Sequence, residues 1–245
     1  MKIRVLGTGP GLPVLGKHLS CIWVENRGKQ FIFDCGDGSI YQLLKAGIGP
    51  DDIDAVVITH FHPDHVAGIF MLVQMFYLQG RTKDLPLFIP EREAEFEKIF
   101  SMFYTFAERL CYRLKVLPIT KLCQHYPELT TIENDHLGGY RQVIMQNGLS
   151  NTMRAYSLKV EGERGSFVYS GDLDTTDSIC NFVKGIDTFL VDAGHPALEQ
   201  IQKLENYGIK RILLTHGAPQ ETLDKLCNKE GSPFEEARED IVYEI

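Results

Sequence analysis

His60, His62, Asp64 and His65 stand together in the segment Thr59-His60-Phe61-His62-Pro63-Asp64-His65. In extended backbone, residues two apart point to the same side, so His60 and His62 can offer imidazoles to one point. Pro63 turns the chain, and Asp64 and His65 then face a neighbouring point. Imidazole with carboxylate suits zinc, and also manganese or iron. Two further ligand candidates each follow an apolar run: Asp172 comes after Phe167-Val168-Tyr169-Ser170-Gly171, and His216 after Ile212-Leu213-Leu214-Thr215. Alone, each reads as a turn residue or cap. Beside the first cluster they read as ligands, because the ends of strands along one sheet edge are where α/β folds keep their sites.

The elements that must hold these groups are legible from pattern. Ile3–Leu6, Cys21–Glu25 and Phe31–Phe33 are expected as strands, Ser39–Ala46 as a short helix, and Ala55–Ile58 as a strand buried on both faces. His65–Leu78 reads as a buried helix and Leu87–Ile89 as a strand. Phe96, Ile99, Phe100, Phe103, Leu110 and Leu114 recur at helical spacing, which predicts a long helical segment from Glu91 to Val116. Strands are expected at Tyr140–Met145, Arg154–Val160, Ser166–Tyr169, Thr188–Val191, Arg211–Leu214 and Ile241–Ile245. Helices are expected at Ala197–Tyr207 and near Glu221–Cys227. Strands first, then alternation, then strands and helices again predict an α/β fold with two mixed sheets face to face and helices outside.

Bulk properties narrow the function. A net charge of -8 over 245 residues, without a dense Lys/Arg cluster, argues against wholesale binding to a nucleic-acid backbone. A small anionic substrate remains compatible, since a metal supplies the positive charge. The start, MKIRVLGTGPGLP, has no signal-peptide pattern, and Val66–Leu78 is too short to span a bilayer. Six scattered cysteines without a CxxC pair predict reduced, mostly buried thiols of a cytoplasmic protein with no membrane partner. No linker or compositional break divides the chain, so residues 1–245 are read as one domain, with a helical insertion at about 91–125.

The pattern HxHxDH, a later Ser170-Gly171-Asp172 and a final Leu214-Thr215-His216 resemble the metallo-β-lactamase superfamily. Leu6-Gly7-Thr8-Gly9, Phe33-Asp34-Cys35-Gly36-Asp37-Gly38 and Ala237-Arg238-Glu239-Asp240 resemble its ribonuclease Z and small phosphodiesterase branch. The resemblance implies a four-layer αβ/βα sandwich and a metallohydrolase with one or two Zn2+ ions. His60 and His62 would hold the first ion, Asp64, His65 and His216 the second, and Asp172 would bridge them. Asp64 would also take part in catalysis, and Asp34 would orient a ligand histidine. The ions would share a hydroxide and clamp the attacking and leaving oxygens. His195 lies where that branch has a histidine that protonates the leaving group. As a lone histidine it divides evenly between that role and a structural one.

One position departs from the branch. Its third metal histidine should stand shortly before the Ser-Gly-Asp hairpin, and Asn151 occupies that place, ahead of Tyr156. A carboxamide is a poor ligand for such a metal. One ion at the second site, two with a weak first site, or loss of hydrolysis are the outcomes open. His136 is the substitute candidate, ahead of the stretch expected as strand 140–145.

The leading function is hydrolysis of a small phosphodiester, cyclic ones included. A lactone or thioester hydrolase and a non-catalytic metal-binding relative are the alternatives. Only 21 residues separate Asn151 from Asp172, where the ribonuclease Z enzymes carry a glycine-rich arm, and this argues against transfer RNA as substrate. Gly11-Leu-Pro-Val-Leu-Gly16-Lys17-His18 nearly matches a P-loop but has His18 in place of Ser or Thr and precedes a strand. It is read as lining the cleft, with Lys17 or His18 facing an anion. Tyr104 and Phe106, off the helical stripe, can roof the pocket or form a homodimer contact. Cys35 reads as a buried thiol rather than a nucleophile.

Overall fold

Alternation of side chains along each strand builds the core. The structure, a computed structural model, describes residues 1–245. Its first sheet holds β1 (Lys2–Gly7), β2 (Cys21–Asn26), β3 (Lys29–Phe33), β4 (Ile53–Val57), β5 (Leu85–Ile89) and β6 (Leu114–Pro118). The second holds β7 (Leu129–Glu133), β8 (Tyr156–Glu161), β9 (Ser166–Tyr169), β10 (Thr188–Asp192), β11 (Arg211–Thr215) and β12 (Phe234–Glu236). The last strand, β13 (Tyr243–Glu244), returns to the first sheet beside β1. Strands β3 to β6 run parallel, as do β9 to β12, while β1–β3 and β7–β9 pair antiparallel, so both sheets are mixed.

Phe31, Phe33, Ala55 and Val57 face Leu158, Phe167, Tyr169 and Leu190 of the other sheet. Their neighbours Ile32, Val56 and Ile58 point outward, under α1 (Ser39–Lys45), α3 (Ile69–Leu78) and α4 (Glu93–Met102). Between α1 and α3 lies the short α2 (Pro63–Val66). On the far side Val168, Phe189, Val191, Ile212 and Leu214 pack on Ile201 of α8 (Leu198–Gln202) and on Leu223 and Leu226 of α9 (Gln220–Leu226). Three short helices, α5 (Leu122–His125), α6 (Arg141–Asn147) and α7 (Cys180–Val183), complete the set. Because β3, β4, β9, β10 and β11 are covered on both faces, they read as continuous apolar runs; burying each such side chain is worth about 2 kcal/mol. The four-layer αβ/βα sandwich is as expected. No helix is long and apolar enough to cross a membrane.

Several local expectations are corrected. The predicted helix 91–116, and with it the helical insertion at 91–125, is α-helical only over Glu93–Met102 and Leu122–His125, with 3-10 turns at Ala107–Arg109 and Ile119–Lys121. Tyr104 takes a left-handed φ of 58° and ends the stripe, and Leu114–Pro118 extends as an edge strand on β5. Residues 140–145, expected as a strand, lie in a 3-10 turn and α6, which Gly148 caps in the left-handed conformation. The strand of that hairpin is instead β7. The thiols are all free but only Cys21 and Cys35 are buried; Cys111 and Cys123 are exposed.

The helix expected over 65–78 breaks at Gly68, where two backbones touch. Cys35 N donates to His65 O at 2.7 Å and Gly68 N to Cys35 O at 2.8 Å. A Cβ on Gly36 would stand 2.1 Å from the carbonyl oxygen of Asp64 and 2.7 Å from Leu19 Cβ. This close approach carries Asp34 to His65. We expect Gly36→Ala to lower unfolding free energy by about 3 kcal/mol in urea titration, as forced overpacking does. A loss under about 1 kcal/mol would show that the two loops part freely.

Candidate metal centre

Six strands end along one edge, and each delivers a polar group: Asp34 from β3, His60 and His62 from β4, His136 from β7, Asp172 from β9, His195 from β10 and His216 from β11. Asp64 and His65 follow on α2. Two groups of four form around Asp172: His60, His62, His136 and Asp172, then Asp64, His65, Asp172 and His216. Within each group the ligand atoms lie within 4.8 Å of one another.

Asp172 is the shared member. Its Oδ2 is 3.7 Å from His60 Nε2, 3.6 Å from His136 Nε2 and 3.2 Å from His216 Nε2; its Oδ1 is 3.1 Å from His65 Nε2. Asp64 Oδ2 lies 3.5 Å from His65 Nε2 and 3.7 Å from His216 Nε2. The rings of His60, His62 and His136 make a near-equilateral triangle, with centroids 4.7, 4.8 and 4.9 Å apart.

The outer nitrogens of four of these imidazoles are engaged. His65 Nδ1 donates to Asp34 Oδ2 at 2.7 Å, and His60 Nδ1 lies 3.1 Å from Thr59 Oγ1. His62 Nε2 lies 3.2 Å from Tyr140 OH, and His216 Nδ1 lies 3.4 Å from Ser20 Oγ. His136 Nδ1 is the exception, buried without a hydrogen-bond partner and with the Asp174 carboxylate 3.6 Å away. Among the inner atoms His136 Nε2 lies 3.1 Å from His62 Nδ1, whereas His60 Nε2, His65 Nε2 and both oxygens of Asp172 are buried without a hydrogen-bond partner. Orphaned buried polar atoms are costly unless something binds them. Their spacing matches the roughly 3.4 Å between neighbouring ligands around a tetrahedral zinc ion. The residues therefore fit one divalent cation in each group.

Asp34 is wholly buried with φ 57°, an uncommon conformation outside glycine. Its carboxylate accepts from Thr59 N at 2.7 Å, Thr59 Oγ1 at 2.8 Å, His65 Nδ1 and Tyr169 OH at 2.8 Å. Those bonds over-determine the strained backbone and lock both the start of the His60 segment and the His65 ring. His216 likewise holds φ 60°.

Burial pulls His65 toward neutrality, but the Asp172 and Asp34 carboxylates outweigh it and hold its pKa well above the ordinary value. Burial opposes ionisation of Asp172, yet His65, His216 and His60 around it keep its carboxyl well below the usual range. Burial and the nearby His65 keep His60 neutral, and burial takes His136 down to about 4 against the pull of Asp172. So at pH 7 His60 and His136 are already neutral, whereas His65 holds a proton that a cation must displace. Metal uptake should therefore release about one proton at pH 7 and weaken as pH falls. Calorimetric titration in two buffers of unequal ionisation enthalpy measures this; uptake without proton release would rule out His65 as the titrating ligand.

His195 sits at the rim, its side chain 41% exposed. Asp192 Oδ2 accepts from its Nδ1 at 2.9 Å, and Asp172 Oδ2 is 3.9 Å off. The hydrogen bond to Asp192 raises its pKa to about 9 against partial burial.

Asn151 is corrected. It is exposed on the wall of a pocket that His62 also lines, while His136 stands with His60, His62 and Asp172 where a third histidine is expected. The signal that could have found His136 is local: Leu129-Thr-Thr-Ile-Glu133 is a strand, and Asn134-Asp135-His136 ends it as Ser170-Gly171-Asp172 ends β9. The P-loop-like segment does reach the cleft, with Gly11 against Asp64. Glu239 clamps it, accepting from Thr8 N, Thr8 Oγ1 and His18 N and pairing with His18 Nδ1 at 2.6 Å, while Lys17 reaches Glu236. Tyr104 and Phe106 line a groove with Tyr77 and Leu78 that shares no residue with either metal group.

The metallo-beta-lactamase superfamily model matches residues 17–97. Ribonuclease Z of Enterococcus faecalis is 36% identical over 165 residues, which are 66% of this chain and 49% of that protein. Over ribonucleases Z of Methanosarcina mazei, Methanosarcina acetivorans and Bacillus mycoides the match takes in 33 to 40% of their length. Among solved structures, the short form of human tRNase Z aligns over 100% of this chain and 99% of its own, with TM-score 0.74 and 18% identity. A diphosphatase of the PhnP family covers 100% and 97%, with TM-score 0.69 and 18% identity.

Proposed function

We propose that this chain, which has the metallo-β-lactamase fold and resembles ribonuclease Z in sequence, is a zinc-dependent phosphodiesterase for small substrates. The observation that carries the reading is the meeting of two inward-facing ligand groups at Asp172, with His195 hydrogen-bonded to Asp192 at their rim. Bound cations would supply positive charge to a phosphoryl oxygen and acidify a water molecule.

The chain's own residues do the rest. Asp172 ties both groups to β9, and Asp64 with His65 and His216 completes the second beneath the Gly11 loop. Asp192 accepts from Leu173 N, Gly194 N and His195 N as well as the ring, so His195 stands in a fixed pose in its charged form. That is the state in which Nε2 can give a proton to a departing alkoxide. The residues 162–165 close the β8–β9 hairpin tightly, Gly162 N bonding Gly165 O, and together with the net charge of -8 this favours a small substrate. The relatives are ribonucleases by name, so RNA is the comparison substrate. His136 beside His60 and His62 supports a catalytic reading over that of a non-catalytic relative.

The test is elemental analysis of protein purified without chelator, followed by turnover of bis(p-nitrophenyl) phosphate, a cyclic nucleotide, a precursor RNA and a thioester. Diester turnover supports the proposal; thioester turnover alone, or no turnover by metal-loaded protein, refutes it. We expect His195→Ala to lower kcat by about 100-fold with metal content intact. Unchanged kcat would return His195 to a structural role.

A further inference from the structure

Beside the first ligand group lies a pocket of about 250 Å³ whose walls include His62 and Tyr140. Its floor is Phe61, one face of which stacks on Phe96 at 5.1 Å and 4°. The opposite wall comes from α6 and the turn after it, through Val143, Ile144 and Leu149. Helix α6 buries none of its residues, and Val143 and Leu149 are about half exposed. An amphipathic helix ordinarily buries its apolar stripe against the core. This one is propped over Phe61 with a gap between.

Two anchors set the width of that gap. At one end Tyr140 OH meets the outer nitrogen of His62, and at the other Glu91 accepts from Thr152 N at 2.6 Å and Thr152 Oγ1 at 2.9 Å. The Glu91 carboxylate, the charged group on the walls, is thereby occupied. A cavity of roughly 150 Å³ takes a benzene ring, so this one admits a ring with its ester oxygen.

Resting on the phosphodiesterase reading, we infer that this pocket is a subsite for an uncharged, apolar ring carried on one ester oxygen of the substrate. Phe61 forms its floor and the α6 segment its wall. The phosphorus group would lie at the ligand cluster, and the ring would pass His62 into the gap and cover the stripe that the fold leaves bare. Tyr140 is then a positioning residue that joins the subsite to the His62 ring.

Binding rather than turnover tests this. Metal-loaded protein is titrated calorimetrically with phenylphosphonate and methylphosphonate, which share an anion and differ in the ring. We expect phenylphosphonate to bind at least about tenfold tighter. Val143→Glu, at an exposed position, should erase the preference, whereas Leu78→Glu, an exposed residue of α3 away from the pocket, should keep it. Equal affinities, no binding of either ligand, or a preference that survives Val143→Glu overturns the inference. Ring preference without hydrolysis of any diester would sink the catalytic reading and leave the subsite; hydrolysis without ring preference would do the reverse.

Discussion

Asp172→Asn should strip the protein of both cations and lower diester turnover by at least about a thousandfold, the scale expected when groups that act as a unit lose their shared member. The reason is geometric. One carboxylate faces His60, His136 and His216 through Oδ2 and His65 through Oδ1, at 3.1 to 3.7 Å, and neither oxygen has another partner. Asparagine keeps the volume and removes the anion, and its amide NH2 would point a donor at one of the ligand sets. Neither group of four keeps its charge. The apoprotein should feel the change as well, because the anion that favours the proton on His65 is gone; with the His65 pKa lowered toward Asp34's influence alone, proton release on metal addition shrinks. Elemental analysis after dialysis against a weak chelator, run beside kcat, is the measurement. A variant that still held two equivalents of metal would remove Asp172 from its central role.

How far the residues declare this centre depends on how local each signal is. His60, His62, Asp64 and His65 are legible because one strand end and one turn place them. Asp172 and His216 are legible because each follows a run of apolar residues that can only be a buried strand. His136 is harder. Tyr140, Val143 and Ile144 carry β-type side chains and draw the strand to 140–145, yet tertiary context makes that stretch a helix, and the strand that pairs with β8 is β7. Moving the strand 11 residues earlier moves the expected third histidine with it. The strand β6 is obscured in a similar way: Leu110 and Leu114 continue a helical spacing that Tyr104 has already ended. The outer partners are beyond local reading altogether. Ser20 meets His216 across 196 residues and Tyr140 meets His62 across 78, contacts that only the assembled sheets create.

The choice between His136 and Asn151 yields the second large effect. His136→Ala removes one of three imidazoles whose rings form a triangle with sides of 4.7 to 4.9 Å, and it leaves His60 Nε2 and the inner nitrogen of His62 without the third corner. The second group, Asp64, His65, Asp172 and His216, keeps every ligand. Metal content should therefore fall from two equivalents to one, and kcat by at least about a hundredfold, since removing one partner from a metal sphere costs more than the 10 to 100-fold seen for outer partners. Asn151→Ala should leave both cations in place, because residue 151 is exposed on the pocket wall and His136 already stands with His60, His62 and Asp172. Asn151→His should gain nothing in metal content for the same reason. The pair of variants separates the two assignments cleanly: loss of one equivalent on changing residue 151, with residue 136 dispensable, would mean that the segment between β7 and β8 folds differently, carrying Asn151 rather than His136 to the cation.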